Sequence, residues 1–466
     1  MRKRIKILVI TLIMLLSMLF TSCATLRSHY EDTYASTGGS WHMGFGSSEI
    51  SLPTDGNASL YIAGYQNGQQ IEGVLDLPRA NAVWMDTGKS GILLIGIDCV
   101  ALGSGTVAEI RNRLQTFCQS VGCVSINIYA THTHAGLDTL GLWGPVAVDG
   151  KNTYYMENLM NAAVYAAKEA YEDRSAGMLY YGSAIPEDLL YDSREPAEYD
   201  PAIHQLRFVS EDSTKHGIRL ISYGAHAESL RGDNRMLSRD FPGALSDIVE
   251  ASCGDRLLFM PGAIGGLIMT RELLEPFDAE ANMIATAERM ANAILSITDE
   301  EKLAPSLRYS RVSLGIPLDN TFFFFAKFLG ILDNAICEGA SDTGYLLKSE
   351  LGVLSVGSVA FALIPGEIFP ELVNGRGLTD EDPEALMSIA SRYGVEKLLI
   401  LGLCNDEIGY IVPPSNFLVN DELPYIETVT DSTGENHYEE TNSLGKRTAE
   451  LIAVAFEQAL EQMPES

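Results

Sequence analysis

The sequence predicts an α/β protein with a mixed central β-sheet, helices packed on its faces, and a single large domain. Apolar runs of strand length alternate with amphipathic runs of helical length. One run, Leu354 to Leu363, contains Gly357-Ser358 and is expected to form two antiparallel strands joined by a tight turn, which favours a mixed sheet. The 466 residues contain neither an internal repeat nor a long Pro/Gly/Ser linker, so we expect one domain despite the length.

Each element follows from its pattern of apolar residues. The predicted strands are continuous apolar runs: Gly91 to Ala101, Val124 to Ala130, Gly217 to Tyr223, Leu257 to Met260, Leu354 to Leu363 and Lys397 to Leu403. The predicted helices are amphipathic: Val107 to Ser120, Met156 to Tyr171, Gly243 to Ala251, Ala279 to Ile297 and Arg447 to Gln462. The polar segment from Glu427 to Asn442 is expected to be an exposed loop before the last helix.

The N-terminus has the pattern of an export signal. Basic residues at Arg2, Lys3, Arg4 and Lys6 precede an apolar run, Ile7 to Phe20, that is short for a membrane span. Small residues then lead to Cys23, as in bacterial lipoprotein processing sites. We expect residues 1–22 to be a signal peptide, Cys23 to be lipidated, 23–40 to be a tether and 41–466 to be the folded domain. The protein would be a lipoprotein of the bacterial cell membrane, with a secreted protein as the alternative.

Composition excludes one class of partner. The net charge is −30, with 62 acidic against 32 basic residues, and this opposes binding to nucleic acid. The cysteine spacings match no zinc-ribbon or redox pattern, and Cys99 and Cys404 lie in apolar runs typical of buried thiols. The apolar segment from Phe322 to Leu329 is expected to be helical. It either packs in the core or presents an apolar surface to lipid or substrate.

Four strand ends carry residues suited to metal chemistry. Thr131-His132-Thr133-His134 follows an apolar strand, and two imidazoles separated by one residue lie on the same face of an extended chain. His226, Glu367 and Tyr410 each follow another apolar run. Ligands bind beyond the carboxyl ends of strands in α/β sheets, so these ends are candidates for one site. Taken singly, they also fit hydrogen-bonded strand exits, a core histidine, a carboxylate at a helix N-terminus and a core tyrosine.

Read together, these residues resemble the catalytic domain of the neutral/alkaline non-lysosomal ceramidase family, zinc amidases that cleave the N-acyl bond of ceramide. The resemblance is carried by four segments: Thr131-His132-Thr133-His134-Ala135-Gly136, Ala225-His226 followed by Ser238-Arg239-Asp240-Phe241-Pro242-Gly243, Ile364-Pro365-Gly366-Glu367, and Gly402-Leu403-Cys404-Asn405 followed by Tyr410. It extends over nearly the whole chain after the signal. It implies a catalytic domain acting on an N-acylated lipid or related amphiphile.

The resemblance also assigns roles. By it, His132, His226, Glu367 and Tyr410 would hold one Zn²⁺, His134 would be the catalytic acid/base, and Arg194 would bind substrate. The donor types alone leave Fe, Mn and Ni open. A histidine that binds metal usually has a hydrogen-bond acceptor behind it, and the candidates here are Asp98, Asp138 and Asp240.

The resemblance fails at the catalytic serine of the family. Ile268 stands in the serine's place and Gly266 in that of a preceding aspartate, while Thr270 lies two residues further on. An isoleucine has no hydroxyl to act as a nucleophile, so hydrolysis would need a metal-activated water. The family's C-terminal sandwich domain is also not expected here. The alternative is a non-catalytic, metal-containing surface lipoprotein that binds a lipid or small ligand.

Overall fold

The computed structural model describes residues 30–54 and 58–465, and the chain from Asp32 onward forms one compact unit. The predicted signal peptide and Cys23 lie outside the described residues. Within the described part of the chain, no helix is both long and apolar enough to cross a membrane.

The strands are short to medium in length. The first twelve are β1 Thr33–Thr37, β2 Trp41–Glu49, β3 Gly73–Val74, β4 Arg79–Asp86, β5 Gly91–Ile97, β6 Cys123–Ala130, β7 Ser175–Ala184, β8 Leu190–Asp192, β9 Ile203–Ser210, β10 Ile218–Tyr223, β11 Met236–Leu237 and β12 Arg256–Pro261. The rest are β13 Ile268–Thr270, β14 Glu301–Leu303, β15 Ser306–Pro317, β16 Ala335–Glu338, β17 Tyr345–Val356, β18 Val359–Leu363, β19 Glu367–Ile368, β20 Lys397–Leu401, β21 Tyr410–Ile411, β22 Val429–Thr430 and β23 Asn436–His437.

The α-helices are α1 Ser104–Val121, α2 Thr153–Asp173, α3 Asp240–Cys253, α4 Ala279–Leu295, α5 Thr321–Phe328, α6 Pro370–Asn374, α7 Leu386–Arg392 and α8 Thr448–Gln462. Several begin at a side chain that caps a free backbone N–H: Asn152 accepts from the N–H of Tyr155, and Asn320 accepts from those of Phe322 and Phe323. Helices α1, α3 and α6 end at a glycine in the left-handed region, where a side chain is disfavoured.

Two sheets hold most of the strands. The larger runs β12-β10-β9-β7-β2-β4-β5-β6 with β14 beside β7, and the smaller runs β1-β15-β17-β18-β20 with β16 beside β17. Both are mixed: β5–β6, β10–β12 and β18–β20 pair in parallel, and the other neighbours in the two sheets are antiparallel. The α/β class and the mixed pairing are confirmed, and the strands divide between two sheets rather than forming one.

The sheets pack face to face, and the helices cover their outer faces. In β12, Leu258 and Met260 join the core between the sheets, whereas Leu257 and Phe259 point the other way and join the core beneath α3 and α4. On the smaller sheet the outer face is covered chiefly by α8. The alternation of side chains along each strand therefore builds a layered helix–sheet–sheet–helix body.

The predicted elements are found, most of them with small changes at their ends. The hairpin of β17 and β18 turns at Gly357-Ser358 as predicted, but β17 already begins at Tyr345 instead of Leu354. The predicted buried state of the Cys99 and Cys404 thiols is confirmed. Two expectations are wrong. Residues 33–37, placed in the tether, form strand β1 against β15. The segment 427–442, expected to be exposed, contains β22 and β23 and buries His437, Glu439 and Glu440, because these side chains pair with a buried arginine.

Candidate metal centre and active site

The first two histidines sit directly beyond strand β6. His132 has a φ of 65°, a left-handed conformation that is uncommon for a residue with a side chain. It turns the chain so that His132 Nε2 lies 3.2 Å from His134 Nε2. The two rings therefore meet as the sequence predicted. They do so because the backbone turns at His132, rather than because the chain is extended there.

The third histidine lies beyond β10 on a neighbouring segment. His226 is buried, and its Nδ1 donates to the carbonyl of Ile268 at 3.0 Å. His132 Nδ1 similarly donates to the carbonyl of Val100 at 2.7 Å. Because Nδ1 donates to a carbonyl on both rings, Nε2 is the nitrogen that faces the site, and once deprotonated it can bind a metal. The acceptors behind the two histidines are thus backbone carbonyls and not the carboxylates that the sequence suggested.

Those carboxylates instead shape the loops around the site. Asp98 accepts from Thr131, Asp138 accepts from three backbone N–H groups at residues 140, 141 and 143, and Asp240 accepts from the N–H groups of Ser229 and Leu230. Burial raises the pKa of both Asp98 and Asp240 to about 6, against their hydrogen bonds. The predicted outer-shell role of these residues is wrong, although each braces a segment that carries a site residue.

Glu367 and Tyr410 complete the cluster from the other sheet's side. They lie on β19 and β21, which pair in parallel with Glu367 opposite Tyr410. Glu367 Oε2 lies 3.0 Å from His226 Nε2 and 3.4 Å from His132 Nε2. The Tyr410 hydroxyl lies 2.9 Å from the hydroxyl of Tyr438. Donor atoms of three of the four predicted ligands, His132, His226 and Glu367, thus lie close together. Tyr410, the fourth, is the residue opposite Glu367 on the paired strand.

The donor atoms have the spacing of a metal site. Two ligand atoms on one tetrahedral zinc, each about 2.0–2.1 Å from it, are about 3.3 Å apart. The Glu367–His226 and Glu367–His132 distances of 3.0 and 3.4 Å bracket that value. One ring nitrogen each of His132, His134 and His226 also lies within 4.8 Å of the other two, so His134 stands beside the two proposed ligand histidines. The nitrogen and oxygen donors therefore fit a single divalent transition metal, with zinc as a suitable ion.

The electrostatics of the cluster are those of a buried group of opposite charges. Burial would raise the pKa of Glu367, but His132 and His226 hold it well below its usual value. Burial would lower the pKa of His226, but Glu367 raises it to about 9. The pKa of His134 falls well below its usual value because of burial and the two neighbouring histidines. His134 is therefore a neutral imidazole, able to accept a proton.

Arg194 lies in a buried ion network. Its guanidinium pairs with Glu439 at 2.8 Å and Glu440 at 3.0 Å, contacts His437 at 2.9 Å and stacks on the Phe369 ring at 5.2 Å. It is 2% exposed. The sequence missed this network because nothing in the polar run 427–442 indicates that it folds over an arginine. Substrate binding by Arg194 stays a prediction.

The residues at the position of the family's serine contribute backbone only. Ile268 is fully buried and its side chain belongs to the apolar core beneath α3 and α4, while its carbonyl accepts from both His226 N and Nδ1. Thr270 is also buried, and its hydroxyl lies 2.9 Å from that of Ser229. Neither supplies a hydroxyl that hydrogen-bonds to the metal donors.

Sequence reasoning also missed three residues packed around His134, namely Glu228, Tyr65 and Gly64. Glu228 is buried with its Oε2 3.6 Å from His134 Nδ1, and it accepts a hydrogen bond from the hydroxyl of Tyr65. A Cβ at Gly64 would stand 2.6 Å from the His134 ring, so this close approach requires glycine. The signal for Glu228 was available, because it lies two residues after His226 on an extended segment.

Comparisons with solved structures match this geometry to a known fold. The chain superimposes on "Crystal Structure Analysis of neutral ceramidase from Pseudomonas aeruginosa" with a TM-score of 0.71 and 15% sequence identity, covering 92% of this chain and 76% of that one. The fold is that of neutral ceramidase. A second structure, "Ceramidase complexed with C2", matches with a TM-score of 0.68 and 15% identity over 91% of this chain and 75% of the other. No family model and no curated protein matches the sequence.

Proposed function

We propose that this protein is a metal-dependent hydrolase, cutting an amide bond in an N-acylated, ceramide-like lipid or a related amphiphile. The observation that carries the proposal is the convergence of His132, His226 and Glu367, with Tyr410 beside Glu367, in a body with the neutral ceramidase fold. The four positions are those that resemble the ceramidase zinc ligands. A chance arrangement of buried polar groups has no reason to reproduce that set.

One zinc ion is proposed as the cofactor, held by His132, His226, Glu367 and Tyr410. When bound, it would polarise the amide carbonyl and lower the pKa of water, which is the chemistry a serine-free site needs. The protein's own residues orient the ligands and transfer the proton. The backbone carbonyls of Val100 and Ile268 fix the ring orientation of the two ligand histidines. His134, neutral and next to them, would take a proton from water and return it to the departing amine.

An amphiphilic substrate is favoured by the surface next to the site. Helix α5 exposes Phe322, Phe325 and Phe328 by 47, 61 and 42%. Phe323, on its buried side, contacts the position of Gly409, directly before Tyr410. Exposed aromatic rings in such density indicate a surface that meets lipid. Export and a lipid anchor at Cys23, with the folded chain from Asp32 onward as the catalytic domain, complete the proposal.

The test uses the purified protein without its first 22 residues. We expect about one metal ion per chain by elemental analysis. We also expect turnover of N-acyl amides that stops with a chelator and returns with Zn²⁺. Ester and peptide substrates serve as controls for the bond that is cut. Turnover that is indifferent to chelation contradicts the proposal. Tight lipid binding with no product formed would instead establish the non-catalytic lipoprotein.

A further inference from the structure

His134 stands between the metal donors and a buried carboxylate. Its Nε2 lies 3.2 Å from His132 Nε2, and its Nδ1 lies 3.6 Å from Glu228 Oε2 on the opposite side of the ring. Glu228 is 5% exposed and is not one of the proposed metal ligands. A carboxylate so placed can fix which nitrogen of the imidazole carries the proton.

Both groups retain unused hydrogen-bonding capacity. Among the described residues, His134 Nδ1 and Glu228 Oε1 are buried polar atoms without a hydrogen-bond partner. Such atoms cost stability, so their presence calls for an explanation, and a catalytic role is one. A movement of about 0.7 Å would bring the Nδ1–Oε2 pair to ordinary hydrogen-bond length. Catalytic hydrogen bonds that are long in the free protein often tighten when substrate binds.

The backbone holds the two side chains in this relation. The N–H of His134 donates to the carbonyl of Ala227 at 2.9 Å, and Thr133 pairs with Ala227 as an isolated bridge. On the far side of Glu228, Asp240 accepts from the N–H of Ser229. Tyr65 anchors the carboxylate itself by donating its hydroxyl hydrogen to Oε2. Glu228 is therefore held from both sides and at its tip, as a functional carboxylate must be.

We infer that Glu228 is a positioning residue for His134, setting the tautomer in which Nδ1 is protonated and Nε2 is free, with Tyr65 orienting the carboxylate. The inference rests on the proposed function. The water oxygen bonds to the amide carbon as His134 Nε2 takes one water proton. His134 then returns that proton to the amide nitrogen as the C–N bond breaks, giving a carboxylic acid and an amine. Between the two transfers the Glu228 carboxylate stabilises the imidazolium.

The test compares Glu228→Gln, which keeps the shape but removes the charge, with Glu169→Gln, a carboxylate on α2 that accepts from Ser47 N at the surface. We expect Glu228→Gln to lower kcat by about a hundredfold or more while KM stays within about threefold and metal content is unchanged. Tyr65→Phe should lower kcat by a smaller factor, and Glu169→Gln should leave it unchanged. A kcat for Glu228→Gln within threefold of the parent, with metal bound, overturns the inference.

A second measurement does not depend on turnover. Selective ¹⁵N labelling of histidine, with His134→Gln to assign the signal, reports which ring nitrogen of His134 carries the proton. We expect protonated Nδ1 in the parent and a mixture of tautomers in Glu228→Ala. The same tautomer in both proteins overturns the inference. Should the parent lack activity, the proposed function fails while this reading still decides the role of Glu228.

Discussion

The two sides of His226 make different contributions to the site. On one side its Nε2 meets Glu367 Oε2 at 3.0 Å, in the group of donors that we propose to hold the metal. On the other side its Nδ1 meets the carbonyl of Ile268, and the Ile268 side chain packs in the apolar core. His226 therefore lies between a polar cluster suited to a metal and a position that offers no hydroxyl. Under the proposed function, metal binding would be retained at a site without the serine that the resemblance leads one to expect.

Removing a donor is the strongest test of the proposed metal-binding cluster on the Nε2 side of His226. His226→Ala deletes one nitrogen ligand and leaves Glu367 with a single histidine partner, so we expect loss of bound metal and a fall in kcat/KM of at least about a thousandfold, or about 4 kcal/mol. His216→Ala is the matched control, because His216 is exposed and its ring hydrogen-bonds to the backbone carbonyl of Gly254. Metal content and turnover are measured on folded protein. A His226→Ala variant that retains stoichiometric metal would show that the donors do not act as one set.

Much of the proposed metal-binding cluster could be predicted, because its residues follow apolar runs that are visible in the sequence. Apolar runs predicted β6, β10, β18 and β20, and the polar residues that follow them were candidates for one site because strand ends converge in such sheets. The pattern alone left other roles open for each residue, and it was the resemblance to the ceramidase family that assigned His132, His226, Glu367 and Tyr410 as ligands. The division of the strands between two sheets was not predictable in this way, since alternation shows which faces are apolar but not which sheet a strand joins.

The predictions that were wrong or missing concern contacts between segments that are far apart in the sequence. Arg194 is paired with Glu439 and Glu440, nearly 250 residues further along the chain, and a polar segment looks exposed until its partner is known. The acceptors behind His132 and His226 are backbone carbonyls, which every residue has, so the sequence carries no signal for them. Glu228 could have been predicted as a site residue, because it lies two residues after His226. That prediction requires considering a role for a carboxylate near His134.

Arg194 offers the next test, because its charge is held in a buried network with Glu439 and Glu440. Arg194→Met leaves Glu439 and Glu440 buried without their cation, and breaking such a pair costs about 3–5 kcal/mol of unfolding free energy. Arg376→Met removes the exposed pair with Glu198 and should cost less than about 1 kcal/mol. Denaturant unfolding measures both. Parental stability in Arg194→Met together with a raised KM would contradict the structural role and support the substrate-binding role that the resemblance implies.

The variant with the smallest expected effect is Ile268→Ser, which changes the Nδ1 side of His226. It places a serine where the resemblance to the ceramidase family leads one to expect it. Ile268→Ser removes a buried side chain from the core and puts a hydroxyl among apolar groups, so we expect a loss of about 2–4 kcal/mol in stability. Turnover should not rise, because the side chain at this position is fully buried in the core cluster beneath α3 and α4. Ile268→Val, which keeps the apolar shape, should cost about 1 kcal/mol and controls for the cavity alone. A tenfold gain in kcat for Ile268→Ser, absent in Ile268→Val, would show that position 268 still reaches the reaction centre. The two sides of His226 would then be less separate than their contacts indicate.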